Sequence, residues 1–143
     1  MTKRVMAVCL SSNKGERKTS VDKVRLEIGH GIVEDAHAGP WHRQVSLLAM
    51  ESIDKMRSLG LDVGPGDFAE NITTQGVELN RLPLGTYLGI GGTVMEVTQI
   101  GKECHNRCAI YYQAGDCVMP KEGIFARVLQ GGEIVPGDSI IIL

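Results

Sequence analysis

The stretch that decides the fold is Val24-Arg25-Leu26-Glu27-Ile28. Val24, Leu26 and Ile28 alternate with Arg25 and Glu27, so an extended chain puts the apolar side chains on one face and the charges on the other. Period two is the mark of a strand half-buried against a core, because a helix would scatter the same residues round its axis. The pattern recurs on both sides. Arg4 to Leu10, Arg43 to Leu48, Asn71 to Thr74, Thr93 to Ile100, Ile124 to Leu129 and Ser139 to Leu143 read as further short strands. Eighteen glycines spread over the chain imply many turns, and Gly131-Gly132 and Pro136-Gly137-Asp138 signal two of them near the C-terminal end. One segment breaks the period. From Ala49 to Leu59, Met50, Ile53, Met56 and Leu59 stand at helical spacing, with Gly60 as the stop. Many short strands and one helix predict a mostly β fold, an all-β barrel or sandwich.

A chain of 143 residues fits one domain over 1–143, and no repeat, low-complexity tract or linker divides it. Hydrophobic residues make up 43% and aromatics only 4%, so the core must be built from Val, Ile, Leu and Met. A net charge of −2 argues against a general nucleic-acid binder, which would carry a basic stripe. No apolar run approaches the length of a membrane span. The N-terminal apolar run stops after Leu10, too short for a signal core, and no small-residue cleavage site follows. A cytoplasmic protein without membrane or nucleic-acid partners is expected, and in that compartment its cysteines are reduced. Cys9 falls inside the first strand and reads as a small buried hydrophobe.

The chemistry concentrates in Gln99 to Pro120. Cys104, Cys108 and Cys117 lie there, with His105 directly after the first and Lys102 and Arg107 flanking it. The thiolate is the reactive and metal-binding form, and neighbouring cations favour it. Two jobs suit such a cluster. Cys104 can carry sulfur with Cys108 or Cys117 as resolving thiol; or Cys104, Cys108, Cys117 and His105 can hold zinc or iron, although C-x3-C-x8-C matches paired zinc ligands poorly.

Two other stretches carry polar groups between strands. Glu34 to Gln44 gathers Asp35, His37, His42 and Arg43; the guanidinium and the imidazoles suit a phosphate or another anion, while a loop closed on its own hydrogen bonds explains the same residues. Gly64 to Thr74 contains Gly66, Asp67, Glu70 and Asn71 and is explained equally well as a structural corner.

Taken together and in this order, these stretches resemble the MOSC domain, named from the C-terminal part of molybdenum-cofactor sulfurases. The matching segments are Asp35-x-His37-x-Gly39, Arg43-Gln44-Val45-Ser46, Gly66-Asp67-Phe68-Ala69-Glu70-Asn71, the approach from Gln99 to Cys104, Gly123 to Val128, and Pro136-Gly137-Asp138. The resemblance is to the small standalone bacterial members and implies a β-barrel related to the pyruvate-kinase barrel domain, with few short helices. It implies that Cys104 accepts sulfur as a persulfide or contacts the molybdenum centre. It further implies a pocket lined by Asp35, His37, Arg43, Glu70, Asn71 and Arg127 for the molybdenum cofactor, a molybdopterin with Mo or W, as ligand or substrate. A sulfurtransferase, or a delivery module for molybdopterin without chemistry, are both compatible with it. Full sulfurases carry a pyridoxal-phosphate domain that this chain does not supply. Sulfur is therefore expected from a cysteine desulfurase or another donor, with a molybdenum enzyme as recipient. Two departures stand out: relatives often place Gly where this chain has Glu34, and Cys108 and Cys117 lie outside the general pattern.

Overall fold

The computed structural model describes residues 2–13, 16–101 and 122–143. Its elements are β1 (Arg4–Leu10), β2 (Thr19–Val21), β3 (Val24–Glu27), β4 (Gly31–Ile32), β5 (Val45–Ala49), α1 (Met50–Ser58), β6 (Ile72–Gln75), β7 (Tyr87–Ile90), β8 (Thr93–Ile100), β9 (Ile124–Gln130), β10 (Gly132–Ile134) and β11 (Ile140–Ile142), with a 3-10 turn at Leu79–Arg81. The fold is mostly β, as the alternating runs predict. In β3, Val24 and Leu26 are buried and Arg25 and Glu27 exposed. Ile28 departs from the expected strand, because the turn that joins His30 N to Glu27 O has begun there and leaves it 68% exposed.

Among the described residues one sheet has eight strands in the order β11-β7-β8-β9-β5-β6-β1-β2, and a second has three in the order β10-β3-β4. The large sheet curls back on itself. Lys3 O accepts from Ile140 N (3.0 Å), Asp138 O accepts from Val5 N (2.9 Å) and Arg4 bridges to Ser139, so the β11 side of the sheet returns to β1. Val5, Val8, Leu47, Ile72, Leu88, Met95, Val97, Ile124 and Ala126 fill the inside, joined by Val24, Leu26 and Ile134 of the smaller sheet. Aliphatic side chains therefore build the core.

Most pairings are antiparallel, but β5 and β6 run parallel. Parallel neighbours need a crossover, and α1 begins it. The helix lays Ile53 and Met56 over Leu48, Val63, Phe68 and Phe125 on the outer face of the sheet. Leu47 and Leu48 point to opposite sides, into the inner and outer clusters, so β5 is buried on both faces. Leu59, expected on the apolar face of the helix, caps it and is exposed. Gly60 follows at φ +92° and closes the last turn, its N–H on Arg57 O.

Gly131-Gly132 is not a hairpin turn. There the chain leaves β9 in the large sheet and enters β10 in the small one. A Cβ on Gly131 would stand 2.6 Å from Leu26 O, so only glycine lets the strand pass that close.

Candidate functional site

The loop after β4 and the loop between β1 and β2 meet in a polar cluster around a buried ion pair. At its centre are Lys18 and Asp35, both with 0% side-chain exposure and 2.8 Å apart. Asp35 Oδ1 also accepts from Ser11 N (3.1 Å), and Oδ2 accepts from His37 N (3.1 Å), a local turn of the kind aspartate makes with the backbone two residues on. Lys18 Nζ reaches two further groups, Ser11 Oγ at 3.2 Å and His37 Nδ1 at 2.9 Å. Burial alone would raise the pKa of Asp35, but the Lys18 bond and the two backbone N–H groups outweigh it and hold the carboxyl below the usual range. His37 keeps 20% side-chain exposure, and its carbonyl accepts from Trp41 Nε1 (2.8 Å).

Glu34, directly before Asp35, has an unusual backbone conformation. It adopts φ +72°, the left-handed conformation a glycine takes without strain and other residues take at a cost.

The Gly64–Thr74 stretch packs directly against this cluster. Gly66 sits at φ +88°, and a Cβ there would fall 2.2 Å from Lys18 O. Its carbonyl accepts from Lys18 N (2.8 Å), and its N–H donates to Glu70 Oε1 (2.9 Å). Glu70 Oε2 accepts from Thr73 Oγ1 (3.1 Å). Glu70 is wholly buried, and that desolvation pushes its carboxyl up to about 7 despite the donors around it. Asn71 is wholly buried as well. Its Oδ1 accepts from Ser46 N (3.0 Å), and its Nδ2 donates to Cys9 O (3.1 Å), so it pins β1 and β5 at the start of β6. Both side chains hold loops and strands in place. Cys9 is buried, with its thiol pushed up to about 11 by that burial.

Arg43 belongs to a different group. Its Nε donates to Gln99 Oε1 (3.0 Å), and its guanidinium lies over the Phe125 ring at 5.2 Å. His42 Nε2 meets the same Gln99 Oε1 at 2.9 Å. Gln99 Nε2 in turn donates to Gly101 O (2.9 Å). Gly101 N donates to Gly123 O (2.6 Å), so the two feet of the intervening segment are tied together. At the return foot, Glu122 accepts from Ser52 Oγ (2.7 Å) and Lys55 Nζ (2.9 Å) on α1 and borders a cleft of about 640 Å³ between α1 and the Leu79–Arg81 turn. Arg127 faces outward in a 2.6 Å pair with Glu96, directly opposite on β8.

Of the residues expected at the site, Asp35 and His37 come together, joined by Lys18 and Ser11. Arg43 stands with Gln99 and His42, and Arg127 with Glu96. Lys102, Cys104, His105, Cys108 and Cys117, with Arg107, lie outside the described residues, so both the sulfur and the metal readings of the cysteines fall there. Among the described residues no three His, Cys, Asp or Glu side chains gather as a metal site, and no helix is long and apolar enough to cross a membrane. Lys18 escaped the sequence reading because it sits in a polar run that looks like surface loop, yet its side chain is wholly buried.

The described residues thus form a curled, mostly β sheet with a buried Lys18–Asp35 pair and an Arg43–Gln99 contact. The family model of the MOSC domain matches residues 34–141, and the chain belongs to that family, which is associated with the molybdenum cofactor through the C-terminal domain of its sulfurases. The structure is similar to that of the YuaD protein from Bacillus subtilis, with TM-score 0.81 and 18% identity over 98% of this chain and 94% of that one. It is similar also to YiiM from Geobacillus stearothermophilus, with TM-score 0.71 and 18% identity over 99% of this chain and 75% of that one. YiiM from Escherichia coli gives TM-score 0.68 and 18% identity, covering 100% and 70%. At these identities the likeness is one of fold. Comparison with curated protein sequences gave no significant match.

Proposed function

We propose that this protein is a sulfur-handling accessory protein for a pterin-bound molybdenum or tungsten cofactor, with Cys104 as the sulfur-accepting thiolate. The observation that carries the reading is the chain of contacts from Arg43 through Gln99 to Gly101. It ties the Asp35–Arg43 loop to the foot of the segment that bears Cys104, three residues further on. Arg43, at the start of this chain of contacts, is a donor of the kind a phosphate takes, and in this reading it meets the cofactor as substrate.

Cys104 has Lys102, His105 and Arg107 close in sequence to favour its thiolate. The thiolate attacks the outer sulfur of a donor persulfide, supplied by a cysteine desulfurase or another persulfide protein. The Cys104–sulfur bond forms, the donor S–S bond breaks, and the donor leaves as a thiolate. Release follows ordinary thiol exchange. Cys108 or Cys117 attacks the inner sulfur of the Cys104 persulfide, a disulfide forms, and the outer sulfur departs as sulfide toward its acceptor. The two thiols supply the two electrons that reduce it, and an external thiol returns the disulfide to the starting state.

Incubation with a cysteine desulfurase and radiolabelled cysteine tests this. The wild-type chain is expected to take up label that reductant removes, and Cys104→Ser to take up none while keeping the wild-type circular dichroism. Equal labelling of a folded Cys104→Ser chain would overturn the assignment.

A further inference from the structure

A guanidinium has five N–H donors and no acceptor. In Arg43 only the Nε–H has a hydrogen-bond partner among the described residues, Gln99 Oε1 at 3.0 Å. The guanidinium also lies over the Phe125 ring at 5.2 Å, so one edge and one face are held while both Nη groups are left over. Phe125 stands directly opposite Gln99 in the β8–β9 register, and the sheet thus places both holders. The charge is not neutralised either. Arg17, Arg57, Arg81 and Arg127 each have a carboxylate within ion-pair distance; among the described residues Arg43 has none. Arg4 makes the same Nε contact, with Gln75 Oε1 at 3.0 Å, but it is exposed and water serves it. Arg43 is half-buried, where an unpaired charge is costly.

The holder is an amide whose orientation is forced. Gln99 Nε2 donates to Gly101 O (2.9 Å), which can only accept, while Arg43 Nε can only donate. A flipped amide would set oxygen against oxygen and N–H against N–H. His42 Nε2, 2.9 Å from the same Oε1, therefore carries a hydrogen as well. We infer that Gln99 is a positioning residue: its neutral oxygen orients Arg43 without cancelling the charge, so the Nη edge is kept for an oxyanion. A glutamate at this place would hold the guanidinium harder and take its charge. The inference deepens the proposed function and rests on it only for taking that oxyanion to be the cofactor's phosphate.

The test is ¹H–¹⁵N NMR of the full chain, with the Arg43 Nε–H assigned by its loss in Arg43→Lys and inorganic phosphate titrated at constant ionic strength. In the wild type phosphate is expected to shift the Arg43 Nε–H, and the affinity is read from the backbone amides around Arg43. Two variants separate orientation from charge, and both give up the bond to Gly101 O. Gln99→Met removes the acceptor and adds no charge; Gln99→Glu supplies a stronger acceptor that also pairs the guanidinium. The Arg43 Nε–H is expected to exchange slowly with solvent in the wild type and in Gln99→Glu, and fast in Gln99→Met. Phosphate affinity is expected to fall about tenfold in Gln99→Met and about tenfold further in Gln99→Glu. A residue that merely holds the fold gives the opposite order, because the variant that keeps Arg43 in place then binds better. Affinity in Gln99→Glu equal to or above that of Gln99→Met, or no phosphate shift at Arg43 in the wild type, would overturn the inference. If Gln99→Glu loses the wild-type circular dichroism, undiminished phosphate affinity in Gln99→Met overturns it alone. Phosphate behaviour as expected, with no sulfur label on Cys104, would count against the proposed function and leave this inference standing.

Discussion

Replacing Glu70 by Gln probes the buried corner on which the Lys18 cluster rests. Glu70 is wholly buried, and its carboxyl is raised from 4.5 to about 7 because desolvation outweighs the donors on it. Below about pH 4.5 folded and unfolded chains both hold this proton. Between about 4.5 and 7 the unfolded chain releases it while the folded chain keeps it, so stability falls as pH rises and levels off once the folded group ionises. Roughly 2.5 pKa units at about 1.4 kcal/mol each give a loss of about 3 kcal/mol. In Glu70→Gln the amide oxygen accepts from Gly66 N as Oε1 does, and the amide N–H₂ faces Thr73 Oγ1, whose hydroxyl turns to accept. Urea unfolding of both proteins from pH 4.5 to 8 measures the difference. Asp35, lowered below 3.8, acts with the opposite sign, giving stability that is lost as pH falls, but it is present in both chains and cancels. The stability of Glu70→Gln relative to wild type should rise by about 3 kcal/mol across this range. Parallel curves would refute the argument.

Lys18→Met alone should cost about 3–5 kcal/mol, because it strands a buried carboxylate, and adding Asp35→Asn should recover more than half of that; chemical denaturation of the three proteins is the measure. Gly66→Ala should cost at least about 2 kcal/mol in thermal unfolding, since it puts a Cβ onto Lys18 O in a left-handed conformation. Glu34→Gly should instead stabilise by about 0.5 kcal/mol, as relief of the strain at φ +72° exceeds the added freedom of the unfolded chain.

The longer strands were legible because alternation over four or more residues carries its own signature. Arg4–Leu10 and Thr93–Ile100 were found to the residue, and β3, β5, β6, β9 and β11 to within two. β2, β4 and β10 span two or three residues, too few to show a period, and β7 hides an alternation between Leu88 and Ile90 beside Gly89. Asp35 and His37 were legible as a pair because the turn that joins them is local. Glu70 and Asn71 sit in the family pattern too, but their bonds show them fixing loops and strands in the core, a role that sequence alone cannot separate from ligand binding. Lys18 and Gln99 were invisible as site residues because each gains its meaning from a partner distant in the chain.

Mass spectrometry of the protein purified without oxygen, native and then denatured, tests the central claim most directly. The account predicts one added sulfur atom that survives denaturation, disappears with reductant and maps to Cys104. A mass increment from a metal that leaves on denaturation, with no sulfur on Cys104 even after exposure to a persulfide donor, would contradict it.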